Sequence, residues 1–359
     1  MMRNYAVAPG EYLQEWLEDE GVTQTEFAEK VGFSRKKVNE IVLGKTVITG
    51  DTAIKLERVT QIPVDSWLRF ESQYQSERAR LRSLEELSEA VDCVSPAAGK
   101  YLRKNGYISA TKRTPGKLVD EFLQFLGLGT VHVYLGMIDS LFEGESALAT
   151  LKEQKSSLDE SSIMVWKRAA ELQDIVIKAG RCEYSEKELR ALLPALKQIT
   201  KEPHSRMLDQ CAVALAEVGV SLVYLEAPER LPLYGMTWWR DGDKPIIQLS
   251  GRRKNDANNT WTLFHEIGHV LNDPRGHMHL DFNMGKARNS QAEKQANAFA
   301  RKCLFAGAEK NFGRLRTENE IIAAAEECGV APGLVLFHMR RAKQIEYSRF
   351  TRLITTFSV

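Results

Sequence analysis

The sequence predicts a mostly α-helical protein with a small α+β domain toward its C-terminal end. Five short helical patterns follow one another between Gly10 and Gln75, and further helical patterns, beginning with a charged helix from Glu77 to Ala90, continue to about residue 200. Beyond residue 204, strand-like runs stand between helical ones. We therefore expect three parts: a five-helix domain over residues 1–75, a helical connector over 76–203 and the α+β domain over 204–359.

Composition restricts the classes of protein that the chain can belong to. With 359 residues and 43% hydrophobic content it can build several cores, and its net charge of +1 leaves room only for local contacts with nucleic acid. No apolar run reaches the roughly 18 residues of a membrane span, and the start lacks an apolar signal core. The five cysteines include no C-x-x-C pair and are interpreted as reduced packing residues. We expect a cytoplasmic protein that does not contact a membrane.

The first 75 residues have the spacing of a helix-turn-helix. Thr23 is placed to cap the second helix, with Glu26 three residues later completing a capping box. Gly32 ends that helix and Ser34 caps the third, so that only a tight turn separates the two. This pattern predicts an N-terminal helix-turn-helix domain.

The third helix of this domain is the predicted DNA-reading element. Its apolar positions Val38 and Ile41 face inward, which turns its polar positions toward solvent. Arg and Asn in a first turn can meet base edges, while Lys pairs with phosphate. The predicted DNA-binding residues are Gln24, Ser34, Arg35, Lys36, Lys37, Asn39 and Lys45. A solvated face in a protein-interaction domain is the alternative, because residues 1–75 hold nine Lys and Arg against twelve Asp and Glu.

Several segments of the N-terminal domain resemble a known family. Pro9-Gly10-Glu11, Gln24-Thr25-Glu26-Phe27-Ala28 and Ile41-Val42-Leu43-Gly44-Lys45 resemble the XRE-type helix-turn-helix of HigA antitoxins. The resemblance covers almost all of the first 75 residues. It implies a repressor-like domain that binds double-stranded operator DNA as a homodimer, and it suggests a toxin as a partner.

An H-E-x-x-H motif lies in the apolar helical pattern from Trp261 to Leu271. The four-residue step places His265 and His269 one turn apart on the same helix face, where both imidazoles can reach one metal ion. Glu266 lies at the edge of that face. A chance match on a surface helix is the alternative, but the preceding strand-like run and the apolar context favour a metal site.

The next helical run supplies a third ligand. On one face it carries Glu293, Ala296, Asn297 and Ala300. The small residues on this face, together with Gly268 on the first helix, permit the two helices to approach closely. Two histidines and a glutamate are the ligand set of thermolysin-like zinc peptidases, so Zn²⁺ is the predicted cofactor. Asn297 is predicted to bind the free ring nitrogen of one of the histidines.

This region also resembles a family. The run from Trp238 through Ala300, with a strand, H-E-I-G-H and then E-x-x-A-N-x-F-A, resembles the ImmA/IrrE metallopeptidases. The resemblance implies a zincin-like domain in which His265, His269 and Glu293 bind the metal and Glu266 is the catalytic carboxylate. The chain departs from the family after Ala300, where a Leu-rich tail ending in Met-Pro is often found.

Three strands are predicted before the motif, at Val220–Leu225, Gly235–Trp239 and Pro245–Ser250, with a turn at Asp241-Gly242. Pro245 predicts an edge position for the third strand, to which a substrate polypeptide could add as a further strand. Three residues, each of which could equally be a surface or packing residue, are candidates for stabilising an oxyanion: Tyr234, His277 and His279.

The leading interpretation joins both ends of the chain. It is a zinc-dependent endopeptidase with a DNA-binding domain, which cleaves a regulatory protein such as a repressor or an antitoxin, regulates transcription of its own operon, or does both. Its activity can depend on a signal or a partner. The alternative is a HigA-like antitoxin or repressor whose peptidase fold senses or binds without turnover.

Overall fold

A computed structural model of the protein describes residues 6–142, 159–252, 255–276, 278–282 and 291–356. The chain forms two compact units. The N-terminal unit extends to Asp92 and includes Ala110–Glu121, and the C-terminal unit consists of Cys93–Ser109 and the chain from Phe122 onward. The predicted fold class is confirmed, since helices predominate and the C-terminal unit holds one small sheet.

The N-terminal unit begins with the predicted succession of helices. They are α1 (Pro9–Asp19), α2 (Gln24–Val31), α3 (Arg35–Val42), α4 (Gly50–Thr60) and α5 (Val64–Ser88). The predicted caps are confirmed: the Thr23 hydroxyl accepts a hydrogen bond from the Glu26 amide, and Ser34 Oγ accepts one from the Lys37 amide at 3.1 Å. Gly32 ends α2 with a φ of 70°. The core between these helices includes Leu13, Phe27 and Trp67, all fully buried.

Helices α1 and α3 pass very close to each other at Gly10. A Cβ atom at this position would lie 2.1 Å from the Ile41 carbonyl oxygen and 2.3 Å from that of Val42. Both are backbone atoms at the end of α3, so they cannot move aside as a flexible side chain can. The glycine therefore sets the distance between α1 and the predicted DNA-reading helix.

Helix α5 is longer than the sequence pattern suggested. The charged helix predicted from Glu77 is the continuation of the fifth helix, and residues 75 and 76 lie inside it. The prediction of two separate helices was wrong. No glycine or proline interrupts the helix between Val64 and Ser88, so nothing in the chain ends it earlier.

The C-terminal unit surrounds its sheet with helices. Those before the sheet are α6 (Pro96–Lys104), α7 (Pro115–Leu126, whose first half belongs to the N-terminal unit), α8 (Val131–Phe142), α9 (Glu160–Glu171), α10 (Asp174–Ala179), α11 (Glu186–Lys201) and α12 (Met207–Glu217). Those after its third strand are α13 (Asp256–Asn272), α14 (Gln291–Phe305), α15 (Glu318–Cys328) and α16 (Pro332–Arg341). Short 3₁₀ segments lie at Val91–Cys93, Ala308–Arg314 and Thr351–Leu353.

The sheet has four strands in the described part of the chain. They are β1 (Ser221–Tyr224), β2 (Leu233–Arg240), β3 (Lys244–Leu249) and β4 (His279–Phe282), in the order β1-β3-β2-β4. β1 pairs parallel with β3, and β2 pairs antiparallel with both β3 and β4. The predicted turn is confirmed, because Asp241 and Gly242 join β2 to β3 with φ values of 56° and 83°.

The edge position predicted for the third strand was wrong. β3 lies between β1 and β2, and the edges of the described sheet are β1 and β4. Pro245 is compatible with a central strand because the ladder between β1 and β3 begins only at Ile246. The missing amide hydrogen of the proline thus falls outside the parallel ladder.

Helix α13 is the centre of the C-terminal unit. All residues from Asp256 to Leu271 are buried, and apolar side chains such as Leu263, Phe264 and Ile267 join the main core. Thr355, near the end of the described chain, forms two hydrogen bonds with the first residue of this helix. The Asp256 amide donates to the Thr355 carbonyl, and Asp256 Oδ1 accepts from the Thr355 amide, each at 3.0 Å.

Asp256 makes the stability of this unit depend on pH. Burial raises the pKa of its carboxyl to about 6, from an ordinary value of 3.8. The folded state therefore favours the protonated carboxyl. The contribution of this protonation to the stability of the folded state is present at low pH and is lost as the pH rises through 6. Asp256→Asn should make the protein more stable than the wild type at pH 8, by about 1–3 kcal/mol, and nearly equal to it below pH 4.

Urea unfolding of both proteins at several pH values measures this difference. Asp243→Asn, in the exposed turn after β2, is the matched control and should follow the wild type throughout. A constant difference between wild type and Asp256→Asn from acid to neutral pH would contradict the prediction.

In the described residues, no single helix is long and apolar enough to cross a membrane, although two sharply bent helix pairs pass the same length and composition test when each pair is taken together.

Candidate metal centre

Helices α13 and α14 bring together the three side chains predicted to bind a metal. His265 Nε2 lies 3.2 Å from His269 Nε2 and 3.4 Å from Glu293 Oε2, while His269 Nε2 lies 3.3 Å from Glu293 Oε1. All three residues are buried, with exposed fractions of 2%, 1% and 8%. The two helices thus bring both Nε2 atoms and both oxygens of the Glu293 carboxylate together, and we call these three side chains the ligand triangle.

The dimensions of this triangle fit a tetrahedral metal site. A metal at about 2.0–2.1 Å from each ligand atom in tetrahedral geometry requires ligand atoms about 3.3 Å apart. The two Nε2 atoms are 3.2 Å apart, and each lies 3.3–3.4 Å from a different oxygen of Glu293, so all three distances are close to that value. Two imidazoles with one carboxylate also form a donor set that zinc accepts, with the fourth position left for water.

The charges around the triangle favour a cation. Burial lowers the pKa of His269, but hydrogen bonds with Asp273 and Glu293 outweigh it and raise that pKa to about 10. Burial likewise raises the pKa of Glu293, yet hydrogen bonds from both histidines bring it well below its usual range. Such opposed shifts are expected where buried carboxylates favour positive charge on neighbouring imidazoles.

The side chain of Glu266 extends from α13 toward strand β2. Its Oε2 accepts a hydrogen bond of 2.6 Å from the Thr237 hydroxyl, and its Oε1 has no partner among the described residues. Burial raises the pKa of this carboxyl to about 7. A buried carboxyl with one fixed and one free oxygen can take up and release a proton near neutral pH.

Strand β2 makes room for this carboxylate. A Cβ atom at Gly235 would lie 2.3 Å from Glu266 Oε1, so any larger residue would displace the acid. Gly235 is paired across the sheet with Asp281 of β4, whose carboxylate lies within 4.8 Å of ligand atoms of His265 and Glu266. Neither residue is recognisable as part of the site from the sequence alone, because only the register of β2 with β4 brings them there.

A second carboxylate holds one of the histidine rings. His269 Nδ1 lies 2.5 Å from Asp273 Oδ2, one helical turn further along α13. His279 stacks on the His269 ring with centroids 4.3 Å apart, and its Nε2 lies 3.2 Å from the same Asp273 oxygen. The four-residue spacing from His269 to Asp273 is visible in the sequence and places both side chains on one face of the helix.

The remaining predicted site residues lie in different positions. Asn297 is next to the centre, but its Nδ2 donates to the Glu293 carbonyl at 2.7 Å, and its Oδ1 has no partner among the described residues. Asp273 takes the place that Asn297 was expected to occupy at the His269 ring. Tyr234 lines the cleft beside the centre, and His277 lies outside the described residues.

Gly268 permits the two ligand-bearing helices to approach, as the sequence predicted. A Cβ atom there would lie 3.0 Å from Ala296 Cα and 3.2 Å from the Phe299 ring. Gly268→Ala should therefore push α13 away from α14 and lower metal affinity by about tenfold, a change worth about 1.4 kcal/mol.

Competition with a chelating dye measures that affinity. The matched control is Gly136→Ala in α8, where an added methyl group meets nothing within 4 Å. Equal metal affinity in the Gly268→Ala variant and the wild type would show that the helices tolerate the extra methyl group.

In the N-terminal unit, the residues predicted to bind DNA are all at least partly exposed. They lie on α2, in the turn before α3, on α3 and in the loop after it, and they are Gln24, Ser34, Arg35, Lys36, Lys37, Asn39 and Lys45. Lys36 Nζ lies 3.8 Å from Glu40, and Lys37 Nζ lies 4.0 Å above the Phe33 ring. The Ser34 hydroxyl is used as the cap of α3. The surface of α3 thus presents cations and an amide to solvent.

Comparisons with known proteins find a family match in each of the two units. Residues 13–67 match the family described as helix-turn-helix, and residues 217–309 match the peptidase family described as IrrE N-terminal-like domain. Virulence-associated protein I of Dichelobacter nodosus is 30% identical over 92 residues, which represent 25% of this chain and 81% of that protein. A solved structure of an addiction module antidote protein of a HigA family from Coxiella burnetii is 21% identical, with a TM-score of 0.21, and the match covers 30% of this chain and 99% of the other.

The fold and the matches define a protein that combines a DNA-binding helix-turn-helix domain with a metallopeptidase-like domain. The chain belongs to the helix-turn-helix family through its N-terminal unit, and its C-terminal unit carries a peptidase-family domain of the IrrE N-terminal-like type.

Proposed function

We propose that the C-terminal unit is a zinc-dependent endopeptidase that cleaves a regulatory protein, such as a repressor or an antitoxin. The observation that carries this proposal is the ligand triangle: His265 Nε2 and His269 Nε2 lie 3.2 Å apart, and each lies 3.3–3.4 Å from one oxygen of the Glu293 carboxylate. A carboxylate that is not part of the triangle, Glu266, lies beside it.

In this proposal His265, His269 and Glu293 hold the zinc. When bound, zinc supplies two effects: it lowers the pKa of a water molecule and it polarises a substrate carbonyl. Glu266 takes the proton from the attacking water and then donates it to the leaving amine. The Thr237 hydroxyl fixes one oxygen of Glu266 and leaves the other for the proton.

Neighbouring residues orient these groups. Asp273 holds Nδ1 of His269 and thereby directs Nε2 toward the metal position. Among the oxyanion candidates, His279 already stacks on His269 and contacts Asp273. Tyr234 lines the adjacent cleft, and we therefore propose Tyr234 as the oxyanion donor.

The sheet suggests how a polypeptide substrate is held. β4 is an edge of the described sheet, and its residue Asp281 lies within 4.8 Å of ligand atoms of His265 and Glu266. An extended polypeptide that paired with β4 would pass directly beside the centre. Strand β4 thus takes the role that the sequence assigned to the third strand.

We further propose that the N-terminal unit binds operator DNA as part of a homodimer and regulates the operon that encodes the protein. The exposed cations and Asn39 of α3 suit the major groove, and a helix-turn-helix dimer reads two half-sites one helical turn apart. In this arrangement, DNA binding and proteolysis act on the same regulatory circuit.

Metal content tests the peptidase proposal first. Mass spectrometry of the purified full chain should find about one zinc per molecule, and His265→Ala and Glu293→Ala should each lose it. Glu217→Ala on the exposed face of α12 is a matched control for the glutamate and should retain the metal. Retention of zinc by Glu293→Ala, or no metal in the wild type, would contradict the ligand set.

The alternative function predicts a different pattern. A repressor or antitoxin whose peptidase fold only senses or binds would bind operator DNA equally well with and without a chelator. It would also create no new protein ends in cells. That combination of results would replace the endopeptidase proposal.

A further inference from the structure

A cleft of about 670 Å³ lies beside the candidate metal centre, within the C-terminal unit. One wall includes Trp261 and Thr262 of α13, one turn before His265. The facing wall includes Asn297 of α14, one turn after Glu293. The cleft therefore follows both ligand-bearing helices away from the centre.

The charges that line this cleft are strongly unbalanced. The described lining contains five cations, Lys294, Arg301, Arg340, Arg341 and Lys343, and a single carboxylate, Asp281. The whole chain is nearly neutral, with 49 basic and 48 acidic residues, so this ratio is a local concentration and not a general property. A concave surface lined by one sign of charge attracts ligands of the opposite sign.

Most of these cations have no carboxylate partner within the described chain. Lys294, Arg301, Arg340 and Lys343 take part in none of the ion pairs that the described residues form. Lys294 and Arg301 lie two turns apart on the same helix, α14, on either side of Asn297. They form a row of positive charge along one wall.

Arg340 differs from the exposed cations of the cleft, which water alone could solvate. Its side chain is buried, with 8% exposed, although it carries a charge. One terminal nitrogen donates to the Arg349 carbonyl at 2.8 Å, while Nε has no partner among the described residues. A buried guanidinium without a carboxylate is costly, and a carboxylate from a ligand in the cleft would give the guanidinium the opposite charge that it lacks.

We propose that this cleft binds an acidic segment of the polypeptide substrate, with substrate carboxylates paired to Arg340, Arg301 and Lys294. The inference rests on the proposed peptidase function, because the cleft begins at the candidate catalytic centre. It defines the substrate class: cleavage takes place next to a run of Asp or Glu residues.

Single-stranded nucleic acid is the other polyanion that could enter, and the aromatic residues disfavour it. Recognition of single strands uses open aromatic rings on which bases stack. Trp261 is only 4% exposed, and the Arg341 guanidinium lies 4.9 Å above its ring. Arg340 lies 5.5 Å from the Tyr347 ring. Tyr347 is 62% exposed and is the only ring among the described lining residues with such exposure, so the cleft lacks the succession of open rings on which bases stack.

Binding of short labelled peptides to the full-length, zinc-loaded Glu266→Gln protein tests the proposal without cleavage. One peptide alternates Glu and Ala, and its counterpart has Gln in place of every Glu. The Glu peptide should bind at least about tenfold more tightly at low salt. The Lys294→Gln/Arg301→Gln double variant should remove most of this preference, since both side chains lie at the surface of the cleft.

Lys302→Gln is the matched control, because Lys302 is an exposed cation on the same helix that does not line the cleft. It should retain the preference. Equal binding of the two peptides, or the same loss in Lys302→Gln as in the double variant, would overturn the proposal. Tighter binding of oligothymidylate than of the Glu peptide, lost in the double variant, would overturn it in favour of nucleic acid.

The test separates this inference from the proposed function. Selective binding of the Glu peptide by Glu266→Gln, together with no new protein termini in cells that produce the wild type, would support the acidic-ligand site and contradict the peptidase. Proteolysis of targets without acidic residues near the cleaved bond would support the peptidase and contradict the acidic-ligand site.

Discussion

Glu266→Gln is expected to lower the rate of peptide-bond hydrolysis by about 10²–10⁴-fold while zinc stays bound. The amide has the size of the carboxylate but cannot accept the proton of the attacking water. It can still accept the hydrogen bond from Thr237, so the side chain should keep its place. Glu266 is not one of the three residues of the ligand triangle, and metal content should remain that of the wild type.

The measurement compares newly formed protein termini in cells that produce the wild type or the variant. Glu217→Gln, at an exposed position of α12, is the matched control and should give the wild-type set of termini. If the new termini appear at equal abundance with the wild type and with Glu266→Gln, Glu266 is not required for hydrolysis. Once a target protein is identified, its hydrolysis by the purified wild type and by purified Glu266→Gln gives the ratio of the two rates directly.

Gly10→Ala is expected to unfold the helical core of the N-terminal unit. The added methyl carbon would lie 2.1–2.4 Å from the Ile41 and Val42 backbone, so α1 and α3 would have to separate. Separation exposes the buried side chains Leu13 and Leu17 of α1. Overpacking against backbone of this kind costs about 3 kcal/mol or more, a large fraction of a small unit's stability.

Hydrogen–deuterium exchange of the full chain resolves this effect by region. Amides of α1 to α4 should lose protection, while those of α13 and α14 keep it and zinc content is unchanged. Gly50→Ala is the matched control, because a methyl group at the start of α4 meets nothing within 4 Å. Wild-type protection of α1 in Gly10→Ala would show that the α1–α3 contact is less tight than described.

Local signals in the sequence predicted the parts of the fold that local chemistry determines. Thr23, Glu26, Gly32 and Ser34 set the ends of α2 and α3 through hydrogen bonds and backbone conformations that involve only a few neighbouring residues. The helix period placed His265 and His269 on one face, and the small residues of the next helix indicated where Glu293 would meet them. Such features need no knowledge of distant contacts.

Features that depend on the pairing of distant segments were missed or misassigned. The central position of β3 follows from its pairing with β1, which a proline near its start concealed. Gly235 and Asp281 reach the centre only through the register of β2 with β4. Asp273 is different, because its four-residue distance from His269 is local, and a search for a carboxylate one turn after each candidate ligand would have found it.

The contact between Asp256 and Thr355 has a consequence for the order in which the protein matures. Ribosomes synthesise a chain from its N-terminal end, and units can fold as their residues emerge from the ribosome. The helix-turn-helix can acquire its core early, because its core residues, from Leu13 to Trp67, are made first. The helix with both histidines lacks the partner of its first residue until Thr355 has been synthesised. A nascent chain can thus present the exposed face of α3 before the first turn of α13, the helix with the two histidines, has its hydrogen-bond partner.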